Sequence, residues 1–250
     1  MSTKSRWVHG ALEFYDSSTF ETLHRNQPVY LYDDFLGANG TDISGATTGF
    51  TAALGGTNDT FTIDNEAGVC GVGTLLSGTA DNDNASVHTE VNFKGSMSPV
   101  MEARLTVDSA AAVYVGVGFC DAAGHGNTGA VSLSGTTWTT TSTDCALFAY
   151  DTDATTDVFN CMAVNTDVDA TAVATSLLPV AGTYAIYRVD LQDDGSTTAA
   201  YFYINGVYQG MIADALSRTA VITPVVQVGT RTGAAVKKVL IDYIKVWSNR

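Results

Sequence analysis

Positive charge, glutamate, proline, histidine and cysteine are all scarce in this 250-residue sequence, and each scarcity excludes something. Only 12 Lys and Arg stand against 26 Asp and Glu, a formal net charge of −14. A surface of that sign repels phosphate backbones, so no nucleic-acid partner is expected. No apolar run approaches the roughly 20 residues of a bilayer-spanning helix, so no membrane partner is expected. Residues 1–30 lack the basic-then-apolar order of a secretory leader, which predicts synthesis in a cytosol. The four cysteines, Cys70, Cys120, Cys145 and Cys161, lack the close spacing of a zinc site. In a reducing compartment they read as small buried hydrophobes. Cys145 and Cys161, on neighbouring predicted strands, are the pair that a late oxidation would join. The four prolines form no linker, and no repeat or sustained helical period appears.

What is present is alternation. Apolar residues make up 45% of the chain and charged residues 15%, with 24 glycines, a composition of short strands and turns. In PVMEARLTVDS, Met101, Ala103, Leu105 and Val107 face one way and Glu102, Arg104 and Thr106 the other. In AAVYVGVGFCD, Val113, Val115, Val117 and Phe119 share a face, and Gly116 and Gly118 leave room opposite. Asp193-Asp194-Gly195-Ser196 and Asn205-Gly206 are hairpin turn signals. The closing KKVLIDYIKVWS is apolar on both sides, with Val239, Ile241, Tyr243 and Trp247 alternating against Leu240, Asp242, Ile244 and Val246. Only 212–216 suggests a helical turn. The pattern predicts an all-β antiparallel sandwich or barrel over residues 28–250. Residues 1–27 have large aromatics without steady alternation. They read as an N-terminal arm whose Trp7, Phe14, Tyr15 and Phe20 contact a neighbouring subunit or capsid, or else as an extra edge strand.

The run YAIYRVDLQ, a glycine turn, AYFYINGVYQG and PVVQVGTRTGAAVKKVLIDYIKVWS resembles the C-terminal half of concanavalin A-like lectin/glucanase domains. That resemblance implies a jelly-roll β-sandwich whose last strand returns beside an early one, here VYLYDDFLG at 29–37. The short arm, the YDDFLG opening and the IDYIKVW exit also resemble tailed-phage structural proteins. This implies a non-enzymatic virion protein, a decoration (cement) protein on the outer capsid surface. Its partners would be the major capsid protein of a phage head and copies of itself, with a trimer favoured. The alternatives from the same fold are a carbohydrate-binding virion module and a glycoside hydrolase.

Glycanases of this fold place carboxylates on one strand in a pattern like E-x-D-x-x-E, because acid and nucleophile must flank the scissile bond. The five glutamates (Glu13, Glu21, Glu66, Glu90 and Glu102) include no two that are two or four apart, so no catalytic residue is assigned. His88 and Glu90 read as a surface pair, and His125 as a turn residue in AAGHGNTG. The Asp-rich turns at Asp81-Asn82-Asp83 and Asp151-Thr152-Asp153 offer oxygen ligands for Ca2+, but without an EF-hand pattern, so no cofactor or metal site is assigned. For a surface glycan, Trp138 in a Thr/Ser stretch is the first contact candidate, followed by Tyr203 and Tyr208 beside the Asn205-Gly206 turn.

Overall fold

Alternating strands bury one face only if they pair in register, and the computed structural model shows that pairing. It describes residues 29–45, 49–64, 71–89, 92–124, 126, 128–232 and 235–248, and the backbone of 3–8, 11–16 and 22–23. The strands are, in chain order, β1 (Thr3–Val8), β2 (Ala11–Asp16), β3 (Thr22–Leu23), β4 (Val29–Asp33), β5 (Phe50–Leu54), β6 (Thr60–Asp64), β7 (Val72–Leu76), β8 (Asn84–Thr89), β9 (Phe93–Lys94), β10 (Val100–Val107) and β11 (Val113–Cys120). They continue as β12 (Val131–Ser134), β13 (Thr137–Thr140), β14 (Cys145–Asp151), β15 (Asn160–Asn165), β16 (Val168–Asp169), β17 (Val173–Ala174), β18 (Ala185–Asp193), β19 (Thr198–Ile204), β20 (Val207–Leu216), β21 (Val221–Thr230) and β22 (Lys238–Ser248).

Two antiparallel sheets form the sandwich. Sheet I runs β20-β19-β18-β10-β22-β7-β6, with β4 also beside β22; sheet II runs β16-β15-β14-β11-β21-β8-β5, with β17 beside β15 and β9 beside β21. The return of the closing strand to VYLYD is therefore observed, with Trp247 opposite Tyr30 and Lys245 opposite Tyr32. β1, β2 and β3 pair with one another as a small separate meander. The side chains of Trp7, Phe14 and Tyr15, and all of Phe20, lie outside the described residues.

The interior follows the alternation. Met101, Ala103, Leu105 and Val107 of β10 face Val113, Val115, Val117 and Phe119 of β11 across one apolar core. At its centre Phe148 stands edge-on to Phe202, with ring centroids 5.2 Å apart, a geometry worth about 1 kcal/mol beyond the area buried. The turn at Asn205-Gly206 works because both residues adopt positive φ, 50° and 74°, as a two-residue hairpin loop requires.

Three expectations are corrected. Residues 212–216 are not helical but belong to β20; they pair with β19, and that edge carries the irregular register instead. The strict alternation expected of the closing strand breaks at a bulge, where Arg104 lies opposite Tyr243 and Leu105 opposite Ile241. Asp242 is the extra residue, so Ile244 and Val246 turn inward while Tyr243, Lys245 and Trp247 turn outward. Finally, Cys145 and Cys161 cannot meet, because β14–β15 pairing sets Phe148 opposite Cys161. Cys161 therefore joins the interior, while Cys145 joins a second cluster on the outer face of sheet II.

Candidate functional site

The outward side chains of sheet I form a band of aromatics and locked charges. Lys245 and Glu102 are each about 1% exposed and lie 3.2 Å apart, Nζ to Oε1. Tyr243 donates its hydroxyl to the same Glu102 oxygen at 3.1 Å, and its ring centroid is 4.5 Å from the Lys245 ammonium. One strand over, Arg188 pairs with Asp190 at 3.0 Å, and its guanidinium lies 5.5 Å from the ring centroids of both Tyr203 and Trp247. Arg104 pairs with Asp242 and covers the Tyr184 ring at 4.6 Å. Buried charges are tolerated only when paired and hydrogen-bonded, as these are.

The band ends in exposed rims. Tyr30 and Tyr32 stack at 6.4 Å on β4. At the other rim Tyr203 opposes Tyr208 and Tyr201 opposes Met211 in the β19–β20 ladder, with the Tyr203 and Tyr208 rings T-shaped at 5.7 Å. Val207, Tyr208 and Met211 are 61%, 54% and 40% exposed. Beside Tyr201, a cavity of about 330 Å³ is lined by Ser98, Gln192, Asp193, Asp194 and Thr197. Hydrogen bonds from Arg218 hold the Asp193 carboxyl below the usual carboxylate range, and the Thr197 and Ser196 amides do the same for Asp194. Two carboxylates kept ionised are poor proton donors near neutrality.

The outer face of sheet II is built differently. Cys145, Leu147 and Ala149 of β14 and Met162 and Val164 of β15 project outward, yet all are fully buried. The hairpin of β12 and β13 lies over them, with Ala130 and Val131 inside this second cluster and Trp138 packed against it, half-buried. Polar side chains fasten this roof. Gln227 accepts from the Tyr114 hydroxyl and the Ala130 amide, and donates to the Gly124 carbonyl at 2.7 Å. That pair fills the room beside Gly116, where a Cβ would stand 2.8 Å from the Tyr114 oxygen. Arg231, 2% exposed, grips both Asp151 oxygens at 2.9 and 3.1 Å, and Asp151 also accepts the Leu133 amide of the hairpin at 3.0 Å. Asp121 holds the roof's base, accepting from the Gly124 and Thr143 amides and the Ser142 hydroxyl. Burial pushes its carboxyl up, but the bonds from Thr143, Ser142 and Asp144 outweigh that and leave it lowered.

Of the residues singled out from sequence, Tyr203 and Tyr208 come together, while Trp138 sits on the opposite sheet as part of the roof. The Asp-rich turns are occupied by protein donors. Asp81 accepts the Thr232 amide, Asp83 the Ala80 amide, and Arg231 holds Asp151 and lies 3.6 Å from Asp153. Among the described residues no group of three or more His, Cys, Asp or Glu side chains is placed to hold a metal ion. His88 points a ring nitrogen at the Thr89 carbonyl, 3.3 Å away; Glu90 and His125 lie outside the described residues. Sequence reasoning missed Tyr30, Tyr32, Tyr201, Arg188 and Trp247 as members of one face. The signals were the spaced tyrosines of VYLYD and the aromatics on both sides of the closing strand.

No protein-family model matches the sequence, and no curated protein matches it either. Solved structures do match. The Bacillus licheniformis β-glucanase superposes with a TM-score of 0.57 at 14% identity, covering 88% of this chain and 98% of that one. The fold is the concanavalin A-like jelly roll. The Emp47p carbohydrate recognition domain is similar at a TM-score of 0.53 and 9% identity, covering 84% of this chain and 95% of its own. Rv0315 of Mycobacterium tuberculosis, described as a pseudo β-1,3-glucanase, reaches 0.56 at 12% identity over 88% and 98%. At such identities the likeness carries the fold alone. Among the described residues no helix is long and apolar enough to cross a membrane.

Proposed function

We propose that this chain is a non-enzymatic virion structural protein, a decoration protein that attaches to a phage head lattice through the outer face of sheet I. The observation that carries the non-enzymatic part is the neutralisation of five carboxylates on strands of the two sheets. Glu102, Asp151, Asp190, Asp193 and Asp242 each sit in an ion pair with Lys or Arg. A glycanase needs a free acid and a free base facing one open cleft, whereas the outer face of sheet II is apolar and roofed. The similar structure described as a pseudo β-1,3-glucanase supports separating this fold from hydrolysis. The attachment part is supported by the resemblance of the sequence to phage structural proteins. It is also supported by the exposed Tyr30, Tyr32, Tyr208 and Met211 at the rims of that face, tyrosine and methionine being enriched at interfaces. Contacts through residues 1–27 and a trimeric assembly belong to the same proposal.

The test mixes purified chain with phage heads assembled without it and sediments the particles. Wild type is expected to bind saturably, and Tyr208→Asp to lose at least tenfold in affinity while remaining folded. Failure of the wild type to co-sediment overturns the reading.

A second reading is favoured by the cavity beside Tyr201, where an aromatic ring adjoins amide and hydroxyl groups. Such a site suits a saccharide, and the Emp47p carbohydrate recognition domain shares the fold. Calorimetric titration with β-1,3-glucan oligosaccharides, repeated with Tyr201→Ala, decides it. Heat that vanishes in the variant supports a glycan ligand; no heat with wild type removes it.

A further inference from the structure

Cys120 ends β11 and Cys145 begins β14, and the ladder sets them directly opposite each other. The same ladder gives hydrogen bonds from the Asp121 amide to the Asp144 carbonyl, 3.0 Å, and from the Thr152 amide to the Val113 carbonyl, 3.2 Å. Hydrogen-bonded pairs therefore fall on the odd-numbered residues of β11, and Cys120 with Cys145 is a non-hydrogen-bonded pair. Cα atoms in such pairs stand about 4.5 Å apart with their side chains close. That is within the roughly 4.4–6.8 Å that disulfides span, at the short end, where the bond is more reducible. Both thiols project to the same side, into the apolar cluster under the hairpin. Cys161 faces the interior on the other side of the sheet.

We propose that Cys120 and Cys145 are an oxidation site, two thiols placed to close a reversible cross-strand disulfide at the base of the hairpin roof. The oxidant is a low-molecular-weight disulfide such as oxidised glutathione. One cysteine thiolate attacks it and releases one small thiol. The second thiolate then attacks the mixed disulfide and releases another. Two protein thiols are oxidised, one small disulfide is reduced to two thiols, and the two protons lost by the protein thiols end on the released small thiols. Both cysteines are fully buried, and the 121–144 segment, held by Asp121 and Gln227, must lift before the oxidant enters. Burial also pushes both thiols well above their ordinary range, so the closed roof keeps them inert. Once made, the bond would tie the two ends of that segment together and shrink the unfolded ensemble. The inference stands whether or not the chain serves on a virion.

The test treats the full chain with oxidised glutathione across a series of mild, non-unfolding urea concentrations. Cleavage before aspartate separates the cysteines, because 108–120, 144–150 and 157–166 fall on different peptides. The expected product joins 108–120 to 144–150, forms faster as urea loosens the roof, and raises the thermal midpoint by roughly 5–10 °C. Dithiothreitol should reverse it. Cys161→Ala should retain the link, and Cys145→Ala should lose it. Should Cys145→Ala not fold, Cys120→Ser serves the same purpose. A link through Cys70 or Cys161, or none under conditions that expose the thiols to alkylation, overturns the proposal. An unchanged midpoint in the linked protein overturns its stapling role.

Discussion

On sheet I the outward positions of β10 and β22 include Glu102, Arg104, Tyr243, Lys245 and Trp247; on sheet II those of β14 and β15 include Cys145, Leu147, Ala149, Met162 and Val164. Both sets sit on strands of the same period, and both are largely buried. They are buried for different reasons. The apolar face of sheet II gains free energy simply by being covered, and a hairpin of the same chain covers it. The charges of sheet I would lose hydration without compensation, so each is matched by an opposite charge or an aromatic ring. One face is a second core; the other is an ordered surface whose rims remain exposed. The same fold can thus present a cleft, a sealed face or a contact face, depending on which side chains stand at the outward positions.

Substitutions sharpen this contrast. Removing the Arg231 side chain strands the buried Asp151 carboxylate, so Arg231→Ala is expected to cost about 3–5 kcal/mol, read as a lowered urea midpoint. Trp138→Ala removes a half-buried cover from the second core and is expected to cost about 2 kcal/mol, with amide exchange accelerating first in the hairpin. A pH series probes the base of the roof. The folded-state carboxyl of Asp121 titrates below its ordinary 3.8, so its stabilisation is complete above that value and is lost as pH falls through the lowered one. Exchange in 121–144 should rise over that acidic window, and Asp121→Asn should flatten the dependence. The smallest effect on stability is expected at the exposed rim of sheet I, where Tyr208→Asp should change it by under about 0.5 kcal/mol. If Tyr208→Asp instead unfolds the chain, the rim is structural and the contrast between the faces fails.

Much of the fold is legible in local pattern. β10 and β11 show their inward residues by strict alternation, and Asn205-Gly206 announces its turn because those residues accept positive φ. The pairing of β4 with β22 follows the resemblance. The site is less legible because it depends on long-range register, where a one-residue shift exchanges the faces of a strand. The extra residue Asp242 reverses which side of the closing strand meets the core. The offset between β14 and β15 turns Cys145 away from Cys161 and leaves it facing Cys120 instead. Trp138 reads as an exposed aromatic because its neighbours are Thr and Ser; only the tertiary structure shows what lies beneath it. Nothing in YAIYRVDLQ alone reveals that Arg188 lies between Tyr203 of the adjacent β19 and Trp247 of β22, two strands away on the other side.

The division of labour between the two faces is tested most directly by measuring head attachment and thermal midpoint together for Trp138→Ala and Tyr208→Asp. The expected result is a crossed pattern: Trp138→Ala lowers the midpoint and binds normally below it, while Tyr208→Asp keeps the midpoint and loses attachment. Loss of attachment in a stable, folded Trp138→Ala protein, with Tyr208→Asp binding as wild type, would place the adhesive surface on sheet II and contradict the account.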